Sequence, residues 1–189
     1  MRYTLHMFIG IVFITSFVLD SIAMDGDNPL TIKSSSTLIS TNIDTNNDGF
    51  PSILATGIAV NPQLGRMLFS NQFETAPTGN NCTTSFGENG IAFSLVQGTL
   101  VLNVSRNNNE AEQIIIDLTK LDVCFSTESA KFSAVQEGDI IEGTGKYENA
   151  TGSIHSDFVG TFRAVDFDEA KAIESYSNLM GVSELNLGY

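Results

Sequence analysis

The chain has 189 residues, 42% of them hydrophobic, two cysteines and a net charge of −13, which suits one domain built on a single sizeable core. Only nine Lys and Arg stand against 22 Asp and Glu. No phosphate-neutralising stripe can be drawn from so few cations, and this argues against nucleic acid and against an anionic membrane surface as partners.

The first element is MRYTLHMFIGIVFITSFVLDSIAM, with one arginine near its start, an uncharged apolar run from Met7 to Leu19 and small residues at Ser21 and Ala23. That pattern predicts a signal peptide over residues 1–23, cleaved after Ala23. As a helix the run would reach roughly 20 Å against a hydrocarbon core of about 30 Å, so a permanent anchor is the poorer reading. The expected location is secreted, extracellular or periplasmic, with no membrane contact once the leader is gone.

From Leu30 to about Val165 short alternating or β-branched runs are punctuated by Gly, Asn, Asp and Pro, the pattern of an antiparallel sheet closed or folded on itself. Strands are expected at 30–40, 53–59, 66–74, 91–97, 99–105, 113–118, 121–126, 131–136, 139–143 and 153–163. "QGT" at Gln97 to Thr99 and "RNNNEAE" at Arg106 to Glu112 read as tight hairpins, and consecutive hairpins favour an up-and-down meander. "TAPTGNNCTTSFGENG" has no periodicity and reads as an irregular loop.

Between the first two runs, "DTNNDGFPS" places oxygen ligands at Asp44, Asn46 and Asp48 with Gly49 next, matching the first half of a calcium loop. The second half is missing. Position twelve is Ala55 and Pro51 interrupts, so the alternatives are a calcium-binding turn completed by other oxygens and a plain Asx-rich turn. No other cofactor is implied.

Cys82 and Cys124 are an even count in a chain expected to be exported, and read first as a disulfide. They would close a loop of about 43 residues, worth on the order of 4 kcal/mol in the chain-entropy account. Neither has a second cysteine or a histidine at metal-ligand spacing.

Along the last predicted strand Ile154, Phe158 and Phe162 share one face, while His155, Asp157, Val159, Thr161 and Arg163 share the other. Were the second face to line the interior, His155 and Asp157 would be an acid/base pair with an imidazole poised near neutral pH. The alternative is a solvated outer face, because the large apolar residues opposite need the interior more. No Gly-x-Ser-x-Gly, phosphate loop or zinc-type histidine spacing occurs.

After the strands, "DFDEAKAIESYSNLMG" offers Asp166 as an N-cap, Glu169 three residues later, a stripe of Ala170, Ile173, Tyr176 and Met180, and Gly181 past the end. This predicts one helix within a 166–189 tail, following a barrel domain over 24–165.

The most patterned stretch is "IEGTGKYENATGS". Gly143 and Gly145 flank Thr144 where a strand leaves the sheet, Gly152 restarts the chain in the opposite sense, and Tyr147 can fold over the barrel end with Ala150 beneath. The stretch reads first as a structural corner. It also resembles the dirigent and allene oxide cyclase-like β-barrels, whose chains carry a Gly-Thr-Gly, aromatic, Ala-x-Gly run between two strands. The resemblance implies an all-β fold with an eight-stranded antiparallel closed barrel and an internal cavity, and supplies no catalytic set. The expected role is to bind a small apolar ligand or to serve as an extracellular structural module. The alternative is a cavity enzyme of cyclase or dirigent type, holding a reactive substrate in one conformation.

Overall fold

A computed structural model of the chain describes residues 29–41, 44, 47, 49–105, 111–164 and 173–188. The expected leader over 1–23 lies outside them. The described residues form eight strands: β1 (Leu30–Thr41), β2 (Ile53–Asn61), β3 (Gly65–Thr83), β4 (Asn89–Ser105), β5 (Ala111–Phe125), β6 (Lys131–Gly143), β7 (Thr151–Ala164) and β8 (Ile173–Gly188). Each pairs antiparallel with the next, and β8 pairs back onto β1, so the sheet closes into a meander barrel. Closure leaves neither edge of the sheet unpaired.

The period of two decides what lies inside. On β1 Ile32, Ser36 and Leu38 point inward, on β3 Met67, Phe69, Asn71 and Phe73, on β6 Phe132, Ala134 and Gln136. Intervening residues such as Leu68 and Val60 remain outside. Among the described residues the core is the barrel interior with Leu64, Tyr147 and Ala150 from the connections that cover one end.

The C-terminal helix is not what forms. Ile173–Gly188 is β8, joined to β1 from Leu30↔Leu185 to Thr41↔Ile173 and to β7 from Thr151↔Gly188 to Ala164↔Ser175. Asp166, Glu169 and Ala170, which carried the expected cap and first turn, lie outside the described residues. From Leu179 onward the burial alternates, with Leu179, Ser183 and Leu185 buried and Met180, Val182 and Glu184 exposed. A helix here would leave β1 and β7 as open edges, so the hydrogen bonds of two ladders outweigh the local helical spacing.

The ten expected strands become seven because three apparent breaks are bends, and β8 in place of the expected helix makes the eighth. The pairs 91–97 with 99–105, 113–118 with 121–126 and 131–136 with 139–143 each run on as one strand. Register shifts fall at Glu74/Thr75 on β3 and at Leu118/Lys120 on β5, and Gly98 lies between them on β4. A Cβ on Gly98 would come within 2.8 Å of both Leu118 Cδ1 and Phe73 Cβ. The glycine in "QGT" thus admits neighbouring side chains at a barrel corner and makes no turn.

The "TAPTGNNCTTSFGENG" stretch is likewise not an irregular loop. Its first half extends β3 to Thr83, with bulges before and after Pro77, and it returns as β4 through a turn at Thr84 to Glu88. The disulfide Cys82–Cys124 joins this extended hairpin to β5, with a Cα separation of 5.8 Å. The "RNNNEAE" hairpin falls mostly on residues outside the described set, and its flanks pair antiparallel at Ser105↔Ala111.

Candidate functional site

Among the described residues, one end of the barrel is filled and the other holds a cavity. At the filled end Leu64, Met67, Val104, Ile114 and Leu185 are at most 1% exposed. Asn61 holds the β2–β3 turn there: its side-chain oxygen accepts from the backbone N–H of Gln63 and Leu64, and its Nδ2 donates to the Thr31 carbonyl. The β6–β7 corner closes the same end. Thr144 N–H donates to the Gln113 carbonyl at 2.9 Å, Gln113 N–H returns a bond to Thr144 Oγ1 at 2.9 Å, and Gly145–Tyr147 forms one 3-10 turn. Tyr147 is fully buried, with Ala150 N–H bonded to its carbonyl at 2.8 Å.

The glycines of that corner are set by space and by φ. A Cβ on Gly143 would overlap the Tyr147 carbonyl, and one on Gly152, at φ +134°, would overlap the Asn186 carbonyl of β8. Gly145 sits at φ +61° with only the flexible Glu112 side chain nearby. None of the corner residues borders the open half of the interior.

That half holds a cavity of about 260 Å³, at the end where β1 gives way to β2 and β5 turns into β6. Six phenylalanines, Phe69, Phe73, Phe93, Phe125, Phe132 and Phe158, stand on its described wall, with Leu38, Ile53, Leu121, Val123 and Leu179 between them. Inward positions of β3 to β7 converge here because period-two alternation continues through the bends. Small inward residues, Ala55 and Ala134 among them, leave the lumen unfilled at this level.

Polar groups among the described wall residues are few: Ser36, Asn71, Thr75 and Gln136. Asn71 on β3 donates through Nδ2 to Gln136 Oε1 on β6 at 2.7 Å, a bond across the lumen between strands that do not pair with each other. Asn71 Oδ1 and Gln136 Nε2 have no further partner, nor does Oγ of Ser156, the β7 residue paired opposite Gln136. No Asp, Glu, Lys, Arg or His is among the residues described on the wall.

His155 and Asp157 point the other way, out from β7. His155 Nε2 lies 3.7 Å from Asp157 Oδ2 and Nδ1 lies 3.7 Å from Glu137 Oε1, with half the imidazole in solvent. Lys120 adds a 3.0 Å ion pair to Glu137, and that hydrogen bond holds its ammonium pKa above the ordinary value. This is a solvated charge cluster on the outer face, and the pair cannot act on anything inside the barrel.

Of the early acidic loop, Asn46 and Asp48 lie outside the described residues. Asp44 Oδ2 accepts from the Gly49 N–H at 2.7 Å, five residues on, with Asn47 and Gly49 both at positive φ. Among the described residues no group of three His, Cys, Asp or Glu converges on one point. Nearby, the buried Glu74 carboxylate accepts from Ser52 Oγ at 2.8 Å and Gln97 Nε2 at 2.7 Å, pinning the start of β2 to the β3 bulge.

Asn71 and Gln136 are the residues the sequence reading passes over. Each occupies an inward phase among apolar neighbours, Met67, Phe69 and Phe73 for one, Phe132 and Ala134 for the other. A polar side chain in the apolar phase of a strand was the available signal.

Compared with family models, with curated proteins and with solved structures, the chain matches none.

Proposed function

We propose that this protein is a small-ligand carrier or receptor whose barrel binds one mostly apolar molecule. The observation that carries the reading is the cavity itself: about 260 Å³ walled by phenylalanine and aliphatic side chains, with an amide pair among them. Preformed concave sites lined by apolar side chains with a few converging polar groups are the usual form of small-molecule sites. A protein that served only as an extracellular module would gain stability by filling that space.

The disulfide supports an exported protein working in an oxidising compartment, in keeping with the leader-like first 23 residues. Kinship with the dirigent and allene oxide cyclase-like barrels belongs to the same proposal. It rests on Gly143, Thr144, Gly145, Tyr147, Ala150 and Gly152 together with the eight-stranded closure. Among the described wall residues none titrates near neutral pH, which favours binding over proton-transfer chemistry.

The test is thermal unfolding with p-xylene as the probe. At about 100-fold excess over Kd, linkage gives about 2.7 kcal/mol and a rise of several degrees in Tm. Ala134→Leu, which puts three more carbons into the cavity, should remove the rise while leaving a cooperative transition. No shift in the wild-type protein at saturating p-xylene, with 1-octanol equally inert, would end the reading.

A further inference from the structure

We infer that the cavity selects neutral ligands of about nine non-hydrogen atoms whose polar end both donates and accepts a hydrogen bond: a primary alcohol, a primary amide or an undissociated carboxylic acid. The inference rests on the apolar-ligand reading above and names the chemistry that reading leaves open. Asn71 and Gln136 are 5% and 1% exposed and both border the cavity. Their mutual bond uses one donor and one acceptor. What remains on the pair is one wholly unpartnered acceptor atom, Asn71 Oδ1, and one wholly unpartnered donor atom, Gln136 Nε2, both buried, with the equally unpartnered Ser156 hydroxyl opposite Gln136. Rotating both amides by 180° exchanges the two roles and leaves the same pair of demands, so the pattern does not depend on how oxygen and nitrogen are assigned.

A single hydroxyl meets both demands, accepting from the Gln136 amide N–H and donating to the Asn71 carbonyl oxygen. A primary amide or a protonated carboxyl does the same through two atoms. A ketone accepts only and leaves Asn71 Oδ1 unpaired, and a hydrocarbon leaves both, so each forfeits the compensation for burying the amides. A carboxylate anion fares worst. It brings acceptors alone, one of them against Asn71 Oδ1, into a wall with no described cation, inside a chain of net charge −13. Size follows from volume: about 260 Å³ divided among groups of roughly 30 Å³ admits about nine of them.

The experiment is calorimetric titration of the full disulfide-bonded protein with 1-octanol, 2-octanone and octanoate, the last at pH 5.5 and 7.5. The inference expects 1-octanol to bind at least about tenfold more tightly than 2-octanone. It also expects octanoate to weaken by about tenfold per pH unit, following the neutral fraction of the ligand. The double variant Asn71→Leu/Gln136→Met removes both amides together, and should bind 2-octanone at least as well as wild type while the alcohol-to-ketone ratio falls to about one. Should that variant fail to fold, the wild-type series decides by itself. Equal affinity for alcohol and ketone, or octanoate binding that does not change between the two pH values, overturns the inference and leaves the cavity reading standing. Absence of binding by all three, with p-xylene also inert, overturns both.

Discussion

Phe158 on β7 lies directly over Gly181 on β8: a Cβ at position 181 would overlap Cδ1 of the Phe158 ring and come within 2.9 Å of Ser34 Oγ. The ring stands on the cavity wall only because the neighbouring strand has no side chain there. Gly181→Ala should push the ring into the lumen, costing about 1 to 3 kcal/mol as an overpacked core does and weakening p-xylene binding in the same variant. Chemical denaturation reads the first effect and ligand-induced Tm shift the second. A variant that loses neither would mean that the ring has another place to go.

The Cys82–Cys124 bridge ties the far end of the β3–β4 hairpin to β5, passing where Gly90 on β4 presents no side chain; a Cβ there would be 3.1 Å from Cys124 Sγ. Thiol titration of the denatured, unreduced protein is expected to find no free sulfhydryl. Removing the bridge with Cys82→Ser/Cys124→Ser should lower unfolding free energy by about 2 to 4 kcal/mol, since the open chain regains the entropy of a 42-residue separation. Urea denaturation of the two proteins measures the difference.

Three glycines of the β6–β7 corner should rank by what a methyl group would meet. Gly145→Ala adds a Cβ 3.1 Å from the mobile end of Glu112, so its cost is chiefly that of left-handed backbone, about 1 to 2 kcal/mol. Gly145→Val, β-branched at the same φ, should cost on the order of 1 to 3 kcal/mol. Gly143→Ala and Gly152→Ala drive a Cβ into backbone carbonyls that cannot move without opening β7 from β8 or unwinding the 3-10 turn, and belong with the rare substitutions that cost about 4 kcal/mol or more. His155→Ala on the exposed face is the control, expected within about 0.5 kcal/mol of wild type.

Acid should loosen the hairpin tip first. Glu88 accepts from the Ser129 hydroxyl and pairs with Lys131 Nζ at 2.9 Å, joining the β3–β4 turn to the β5–β6 turn. The Ser129 hydrogen bond foremost, then Lys131, holds its carboxyl below the ordinary range. A carboxyl whose folded pKa lies below its unfolded one adds stability above the unfolded value and loses it as pH falls through the folded one. The stability of wild type should therefore decline below about pH 4.5 more steeply than that of Glu88→Gln. Denaturation midpoints measured from pH 6 to pH 3 check this, and parallel curves would show that the pair contributes nothing to the slope.

How much of this was legible in advance differs from strand to strand. The inward phase of β1, β3, β6 and β7 follows from alternation alone, because successive side chains of an extended chain must face opposite ways. The pairing of Cys82 with Cys124 followed from an even count. The glycines of the corner were recognisable as structural because nothing else tolerates such backbone contacts. Strand ends were less legible. Gly98 resembles a turn in the local sequence and is a bend in the barrel, and the difference is made by Phe73 and Leu118, which belong to other strands.

The last strand and the cavity were decided by tertiary structure. "ESYSNLMG" carries a usable helical spacing and, overlapping it, the alternation Leu179, Gly181, Ser183, Leu185 of a strand. Propensity cannot choose between them, whereas two open edges at β1 and β7 can. The sequence by itself determined an acidic chain, one cysteine pairing and an antiparallel sheet, closed or folded on itself, with its apolar phases inward. Only closure determined that Asn71 and Gln136, 65 residues apart, face each other across the lumen. A strand's own alternation says which side chains point inward, and the circumference of the closed sheet says which of them meet.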